Sequence, residues 1–326
     1  MKKLSIILLT PVLLAGAAFT WLAAKRPDAA APANIQIERT PERIARGRHL
    51  FTVLADCDGC HTPRDWSKFA GPIIEAERGA GYEFPAELGL PGRVFSANLT
   101  SDPETGLGQW TDGEILRAFR EGVSRDGRAL FNFMPYDHYA KMSDEDAYAL
   151  VAYMRTLPPV RRAQPKPELI FPVKYLVNDF PKPLDGPVAA PSRDDQVKYG
   201  EYLVNLALCK HCHTPMEKGQ PIEGREFSGG QELRVDARLV RTPNITPDDE
   251  TGIGRWTEDR FVAKFKGFEN MSGENAPKMN QTNFTIMPWL ALSRLPEEDL
   301  RAIYAYLRTL KPIHSSVDVH PQPGTY

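Results

Sequence analysis

The sequence predicts an all-α protein: two tandem helical domains joined by a proline-rich linker, behind an N-terminal hydrophobic helix. Three observations predict it. One ordered set of short motifs occurs twice, 152 residues apart at Cys57 and Cys209. Each copy carries apolar residues at helical spacing behind capping residues. The stretch from Leu4 to Ala24 runs 21 residues without a charge, between Lys2-Lys3 and Lys25-Arg26.

Composition narrows the class. A chain of 326 residues accommodates about two domains. Its 40 basic and 42 acidic side chains nearly balance and form no basic run, which argues against a nucleic-acid partner. The 29 prolines favour rigid turns and extended connections over long regular elements.

In chain order, residues 1–25 read as a signal-anchor or signal peptide. A membrane-spanning helix needs about 20 residues, whereas the apolar part of a cleaved signal is about 7–15. The stretch suits a retained anchor rather better, although Ala15-Gly16-Ala17 offers a small-residue cleavage site. Residues 26–40 form a short connection, and 41–160 the first domain. Its first helix spans roughly Pro41 to Asp56, with Ile44, Leu50, Phe51 and Leu54 near helical spacing. A second helix begins at Thr111, with Glu114 placed to complete a capping box. The third begins at Ser143, with Asp146 in the matching place and Leu150, Val151, Tyr153 and Met154 for the core. Residues 161–193 form the linker. From Pro158 to Arg193 there are nine prolines, and the apolar patch Leu169–Val177 among them is expected to pack over one or both domains. The second domain covers 194–313, and its last helix follows Pro296 with Leu300, Ile303, Tyr304, Leu307 and Leu310. The tail, 314–326, has no readable pattern.

The duplication is detailed. Gly47-Arg48-His49-Leu50 matches Gly200-Glu201-Tyr202-Leu203. Asn98-Leu99-Thr100 matches Asn244-Ile245-Thr246, and Thr105-Gly106-Leu107-Gly108-Gln109-Trp110-Thr111 matches Thr251-Gly252-Ile253-Gly254-Arg255-Trp256-Thr257. Met134-Pro135 matches Met287-Pro288, and Arg155-Thr156-Leu157 matches Arg308-Thr309-Leu310. A period this long is a domain duplication, not a solenoid.

Chemistry concentrates in Cys57-Asp58-Gly59-Cys60-His61 and Cys209-Lys210-His211-Cys212-His213, two copies of C-x-x-C-H that use all four cysteines. This pattern attaches haem covalently: two thiols add to the vinyl groups and the histidine becomes the proximal iron ligand. The competing uses of cysteine fit poorly. Zinc pairs lie about 15–20 residues apart, and 149 separate Cys60 from Cys209. No strand–helix alternation surrounds either motif as a thioredoxin-like pair requires, and disulfide frameworks belong to shorter chains. Two covalently bound haem c groups are expected, attached at Cys57, Cys60, Cys209 and Cys212, with His61 and His213 on the iron.

Met134 and Met287 are the candidate sixth ligands. Each is followed by proline, 73 residues after His61 and 74 after His213. A thioether is a neutral ligand that raises the iron potential. Met142, Met154, Met216, Met271 and Met279 read as gap-filling residues. His49, His138, His211, His314 and His320 have no counterpart in the other copy and read as surface or structural residues, with His138 near enough to Met134 to compete for iron. Pro63 and Pro215 are expected to bring a carbonyl to the proximal imidazole. The Asn-x-Thr triplets read as structural turns. Asn98, Asn244, Arg93 and Arg241 are candidates for contacts to the haem carboxylates.

The motif order resembles the membrane-associated cytochrome c subunits of bacterial alcohol, gluconate and aldehyde dehydrogenases, from about Pro41 to Pro312. The resemblance implies small helical cytochrome c folds and His/Met low-spin haems. It also implies electron transfer without substrate chemistry, from a periplasmic dehydrogenase toward a quinone- or oxidase-linked acceptor. Those subunits commonly carry three haems, whereas this chain has motifs for two. The expected location is the periplasm, at the inner membrane through residues 4–24. The alternative is a di-haem enzyme. A cytochrome c peroxidase needs an iron that can open, and a thiosulfate dehydrogenase needs a cysteine ligand, for which no cysteine remains.

Overall fold

The computed structural model describes residues 14, 16, 17, 19–217 and 219–322. In the first copy a leading helix, Pro41–His49, is capped by Thr40, whose hydroxyl accepts from Arg43 N at 3.2 Å. It widens into π-type turns over Leu50–Leu54, all buried, and meets the motif helix Cys57–His61. A second helix, Asp112–Glu121, has the capping box expected at Thr111 and Glu114 (3.1 and 2.8 Å). A short helix, Tyr136–Tyr139, precedes the closing helix Asp144–Met154, where Ser143 accepts from Asp146 N at 3.2 Å. The second copy repeats the order with Gln196–Leu206, Cys209–His213, Glu258–Lys266, Trp289–Leu292 and Glu297–Thr309.

The leading and closing helices of each copy cross at a glycine. A Cβ on Gly47 would lie 1.8 Å from the Ala149 carbonyl oxygen, and one on Gly200 would lie 1.9 Å from that of Ala302. Only a bare Cα permits this approach, which explains the glycine that opens both G-x-x-L motifs. The crossing buries Leu50, Leu54, Leu150 and Val151 in one copy and Leu203, Leu206, Leu300, Ile303 and Leu307 in the other. These side chains form one continuous core through both copies. Tyr304 and Leu310 stay half-buried, Tyr304 donating its hydroxyl to the Trp256 carbonyl at 2.6 Å.

The all-α expectation is overturned. Among the described residues 35% are helical and 8% are strand, and strands pair in three two-stranded antiparallel ladders. The most regular, Glu232–Val235 with Arg238–Arg241, turns at Asp236, which has a left-handed backbone (φ 52°). Val235, Val240, Met279 and Phe284 make a second small core beneath it. Prolines and left-handed residues shorten the helices, so the connections carry much of the fold.

The long hydrophobic N-terminal helix is corrected as well. Leu4 to Leu13, Ala15 and Ala18 lie outside the described residues, and no helix among the described residues is long and apolar enough to cross a membrane. Described helical turns end at Ala24, before Lys25, Arg26 and Pro27. The linker patch also departs from expectation. Glu168–Leu169 pairs with Gly92–Arg93 and so docks the linker on the first copy, but Ile170, Phe171 and Leu176 remain exposed. Phe171 and Tyr175 instead meet Phe19, with ring centroids 6.5 and 5.7 Å away. The tail does have a place: Val319 O accepts from Arg241 N at 3.0 Å, and His320 Nε2 lies 2.9 Å from Phe284 O.

Two outcomes are expected. Gly200→Ala should cost about 1–3 kcal/mol through overpacking, read as a lower denaturant midpoint; an unchanged midpoint contradicts the crossing. The second concerns His49, whose buried Nε2 has no hydrogen-bond partner. Burial, with Arg46, Arg193 and Arg294 nearby and Asp146 opposing them, lowers its imidazole from 6.5 to about 4. The unfolded chain therefore binds this proton first as pH falls. Its contribution to stability is full above pH 6.5 and is lost as pH falls toward and through 4. In His49→Gln, the melting temperature should drop less over that window than in the unsubstituted protein.

Candidate metal centres

Each leading helix ends on a residue with left-handed backbone, Asp56 (φ 43°) or Leu208 (φ 57°). Such a conformation costs a non-glycine residue on the order of 1–3 kcal/mol. Placed identically in both copies, it turns the chain directly into the motif helix. Within that helix, cysteines three apart and a histidine one further share a face.

The histidines are held alike. His61 and His213 are each 7% exposed. His61 Nδ1–H donates to the Ala97 carbonyl at 2.8 Å, and His213 Nδ1–H donates to the Pro243 carbonyl at 2.8 Å. Burial lowers both imidazoles below their ordinary range. A neutral ring that donates from Nδ1 keeps its Nε2 lone pair for a metal. The orienting carbonyl is therefore not beside Pro63 or Pro215, but on the residue before each Asn-x-Thr triplet.

Those triplets are structural turns, as expected. Asn98 Oδ1 accepts from Thr100 N at 2.9 Å, and its amide donates to Val160 O at 2.8 Å and Thr105 Oγ1 at 3.1 Å. Asn244 repeats this with Thr246 N (2.9 Å), Ile313 O (2.8 Å) and Thr251 Oγ1 (3.0 Å). Their amides are thus spent inside the fold. Arg93 pairs with Glu83 at 2.8 Å and Arg241 with Glu232 at 2.9 Å, on the hairpins. The four side chains proposed for the haem carboxylates are committed elsewhere.

Cys57, Cys60, His61 and Met134 all line one cavity of about 690 Å³, walled by Phe84, Trp110, Phe119, Phe133, Leu150 and Met154. Met134 reaches it from a turn in which its N–H donates to Phe131 O at 3.0 Å. In the second copy, Cys209 and Met287 are half-buried and pack against the shared core with Trp256 and Trp289. Among the other methionines, Met142, Met154 and Met279 are buried, as gap-filling predicts. A haem fits this chemistry. The cavity has the size of an ordinary cofactor site, its walls are apolar, two thiols and a neutral imidazole reach it, and a thioether faces it.

The two copies pack reciprocally through these elements. The short helix Tyr136–Tyr139 rests on the second leading helix, and Trp289–Leu292 rests on the first copy's Leu50–Leu54 turns. His138 Nδ1 lies 3.0 Å from Asn205 Oδ1, Asn205 Nδ2 donates to His138 O at 3.0 Å, and Arg294 donates to Thr52 O at 3.1 Å. His138 is thus held by the other copy and is not among the cavity's lining residues. Ala97, Pro243 and Asn205 escaped sequence reasoning, because a carbonyl has no residue signature and Asn205 has no repeated partner.

The chain matches the cytochrome c family over residues 44–158 and again over 197–311. It is 28% identical over 296 residues to the cytochrome c subunit of a quinone alcohol dehydrogenase from Gluconobacter oxydans, covering 86% of this chain and 57% of that one. It is 31% identical over 276 residues to a fructose dehydrogenase cytochrome subunit from Gluconobacter japonicus, covering 82% and 52%. It thus spans just over half the length of these two relatives. A diheme cytochrome c-type protein from Cereibacter sphaeroides matches nearly end to end, 30% identical over 312 residues, with 93% and 96% covered. The chain belongs to the cytochrome c family, with two tandem copies of the domain and a covalently bound haem c for each.

Proposed function

We propose that this chain relays electrons, one at a time, from a periplasmic dehydrogenase to a quinone- or oxidase-linked acceptor of the respiratory chain. In this reading residues 41–160 and 194–313 are the two haem domains. Cys57 and Cys60 would hold one haem, with His61 and Met134 supplying its iron ligands. Cys209 and Cys212 would hold the other, with His213 and Met287. The observation that carries it is the convergence of both cysteines, His61 and Met134 on one apolar cavity.

The haem, when bound, supplies the one-electron iron couple. The protein residues do the rest. The Ala97 and Pro243 carbonyls aim the imidazoles, the thioethers favour the reduced iron, and the apolar walls keep water from the metal. Each short helix after Met-Pro packs on the other copy's approach to its C-x-x-C-H motif. That reciprocity supports direct passage of electrons between the two centres. Relatives named as dehydrogenase cytochrome subunits support the choice of donor. The uncharged stretch 4–24 supports a place at the periplasmic face of the inner membrane.

Met134→His and Met287→His, made separately, should each lower one midpoint potential by on the order of 0.1–0.3 V, within the ~0.8 V range that axial ligands span. The other midpoint should stay nearly in place, as read by spectroelectrochemical titration of the haem-loaded protein. If neither substitution moves a midpoint, the methionines are not ligands. Membrane fractions should retain the protein after a high-salt wash; complete release by salt would refute attachment through residues 4–24.

A further inference from the structure

We propose that Arg128, with Arg125 and Lys166 beside it, binds the propionate carboxylates of the first haem, and that the second copy lacks counterparts of Arg128 and Lys166. This rests on the haem reading above and extends it to residues that the repeated motifs do not mark.

A haem is apolar except for its metal and two carboxylates. Placing a carboxylate against an apolar cavity is costly unless a charged hydrogen-bond donor meets it. Apart from His61, the basic residues lining the 690 Å³ cavity are Arg125, Arg128 and Lys166. Its acidic lining residues are Glu104, which pairs with Arg161, and Asp126. Lys166 Nζ lies 2.8 Å from Asp126, and Arg125 lies 3.4 Å from Glu114. Arg128 Nε stands 3.5 Å from Asp126 Oδ2 and is buried without a hydrogen bond. A guanidinium with unused donors matches the two oxygens of a carboxylate.

The backbone that carries it is firmly held. Ser124 N donates to Arg128 O at 3.0 Å, Leu130 N donates to Gly122 O at 2.7 Å, and Arg117 Nη2 donates to Ser124 O at 2.7 Å. The second copy differs at two of the three corresponding places; the position of Arg125, counted back from Met287, is Lys278, an exposed lysine. Counting back from Met287, the position of Arg128 is Gln281, whose amide donates to Leu239 O and Pro321 O at 2.8 and 3.1 Å. Counting on from Arg308-Thr309-Leu310, the position of Lys166 is Val319, which packs on the hairpin core.

A cation near the iron disfavours the more positive, oxidised state, so this cluster raises the potential of the first haem. The test is Arg128→Gln in the full-length, haem-loaded protein, titrated spectroelectrochemically. The first haem is assigned as the wave that Met134→His moves. Arg128→Gln should shift the reduced-to-oxidised ratio of that wave by roughly fivefold toward oxidised, about 40 mV downward at ~59 mV per tenfold for one electron, and leave the other wave in place. Arg128→Lys should recover most of the shift. Lys166→Gln, a change at an exposed side chain, should produce a smaller shift in the same wave and serves if Arg128→Gln does not fold. An unchanged first wave in both glutamine variants, with haem content normal, overturns the proposal; so does an equal shift of both waves. Failure of the haem reading is separate and is seen in the unsubstituted protein, as missing covalent haem or a Met134→His variant that moves no wave.

Discussion

Two buried imidazoles, each tied through Nδ1 to one carbonyl, set the constraint on which the rest of the molecule depends. The carbonyl must stand at a fixed distance from a histidine 36 residues away in the first copy and 30 in the second. No local structure can hold it there. The following asparagine does so, by clasping its own Thr turn on one side and the chain beyond the closing helix on the other. Imidazole, turn and closing helix are therefore one connected object. The arginine of each Arg-Thr-Leu motif adds a further tie, donating to Leu107 O at 2.9 Å in one copy and to Gly254 O at 2.6 Å in the other. Motifs that are scattered along the sequence meet because they brace one ring.

The same logic explains what could be read from the sequence. Thr111, Ser143 and the apolar faces behind them follow local rules of capping and periodicity, and the helices begin where those rules place them. The glycines of the G-x-x-L motifs were visible as repeats, but their purpose depends on a carbonyl of another helix, at Ala149 or Ala302. The hairpin at Glu232–Arg241 and the docking of Glu168–Leu169 on Gly92–Arg93 arise from non-local pairing. A reading centred on helical spacing passes over both. An apolar linker patch suggests cover on the domains, yet Ile170 and Phe171 are exposed and Phe171 has Phe19 as a ring neighbour.

For the centres, residue types with distinctive chemistry were legible and the backbone was not. Cysteine, histidine and methionine at matched spacing drew attention to Cys57, Cys60, His61, Met134 and their counterparts. Arg93, Arg241, Asn98 and Asn244 drew attention as polar residues inside the repeat, but their repetition reflects hairpin ion pairs and turns. Arg128 carries no such mark, because it is not repeated. Duplication marks what both copies need, whereas differences between the haems must arise where the copies diverge.

If His61 with Met134, and His213 with Met287, supply the iron ligands as proposed, neither iron keeps a place for a small molecule. The near-infrared spectrum of the ferric protein tests this most directly. The expected result is thioether-to-iron charge-transfer absorption equivalent to two haems per chain, with no high-spin component. Intensity for a single haem, or a high-spin ferric signal in the native protein, would contradict it.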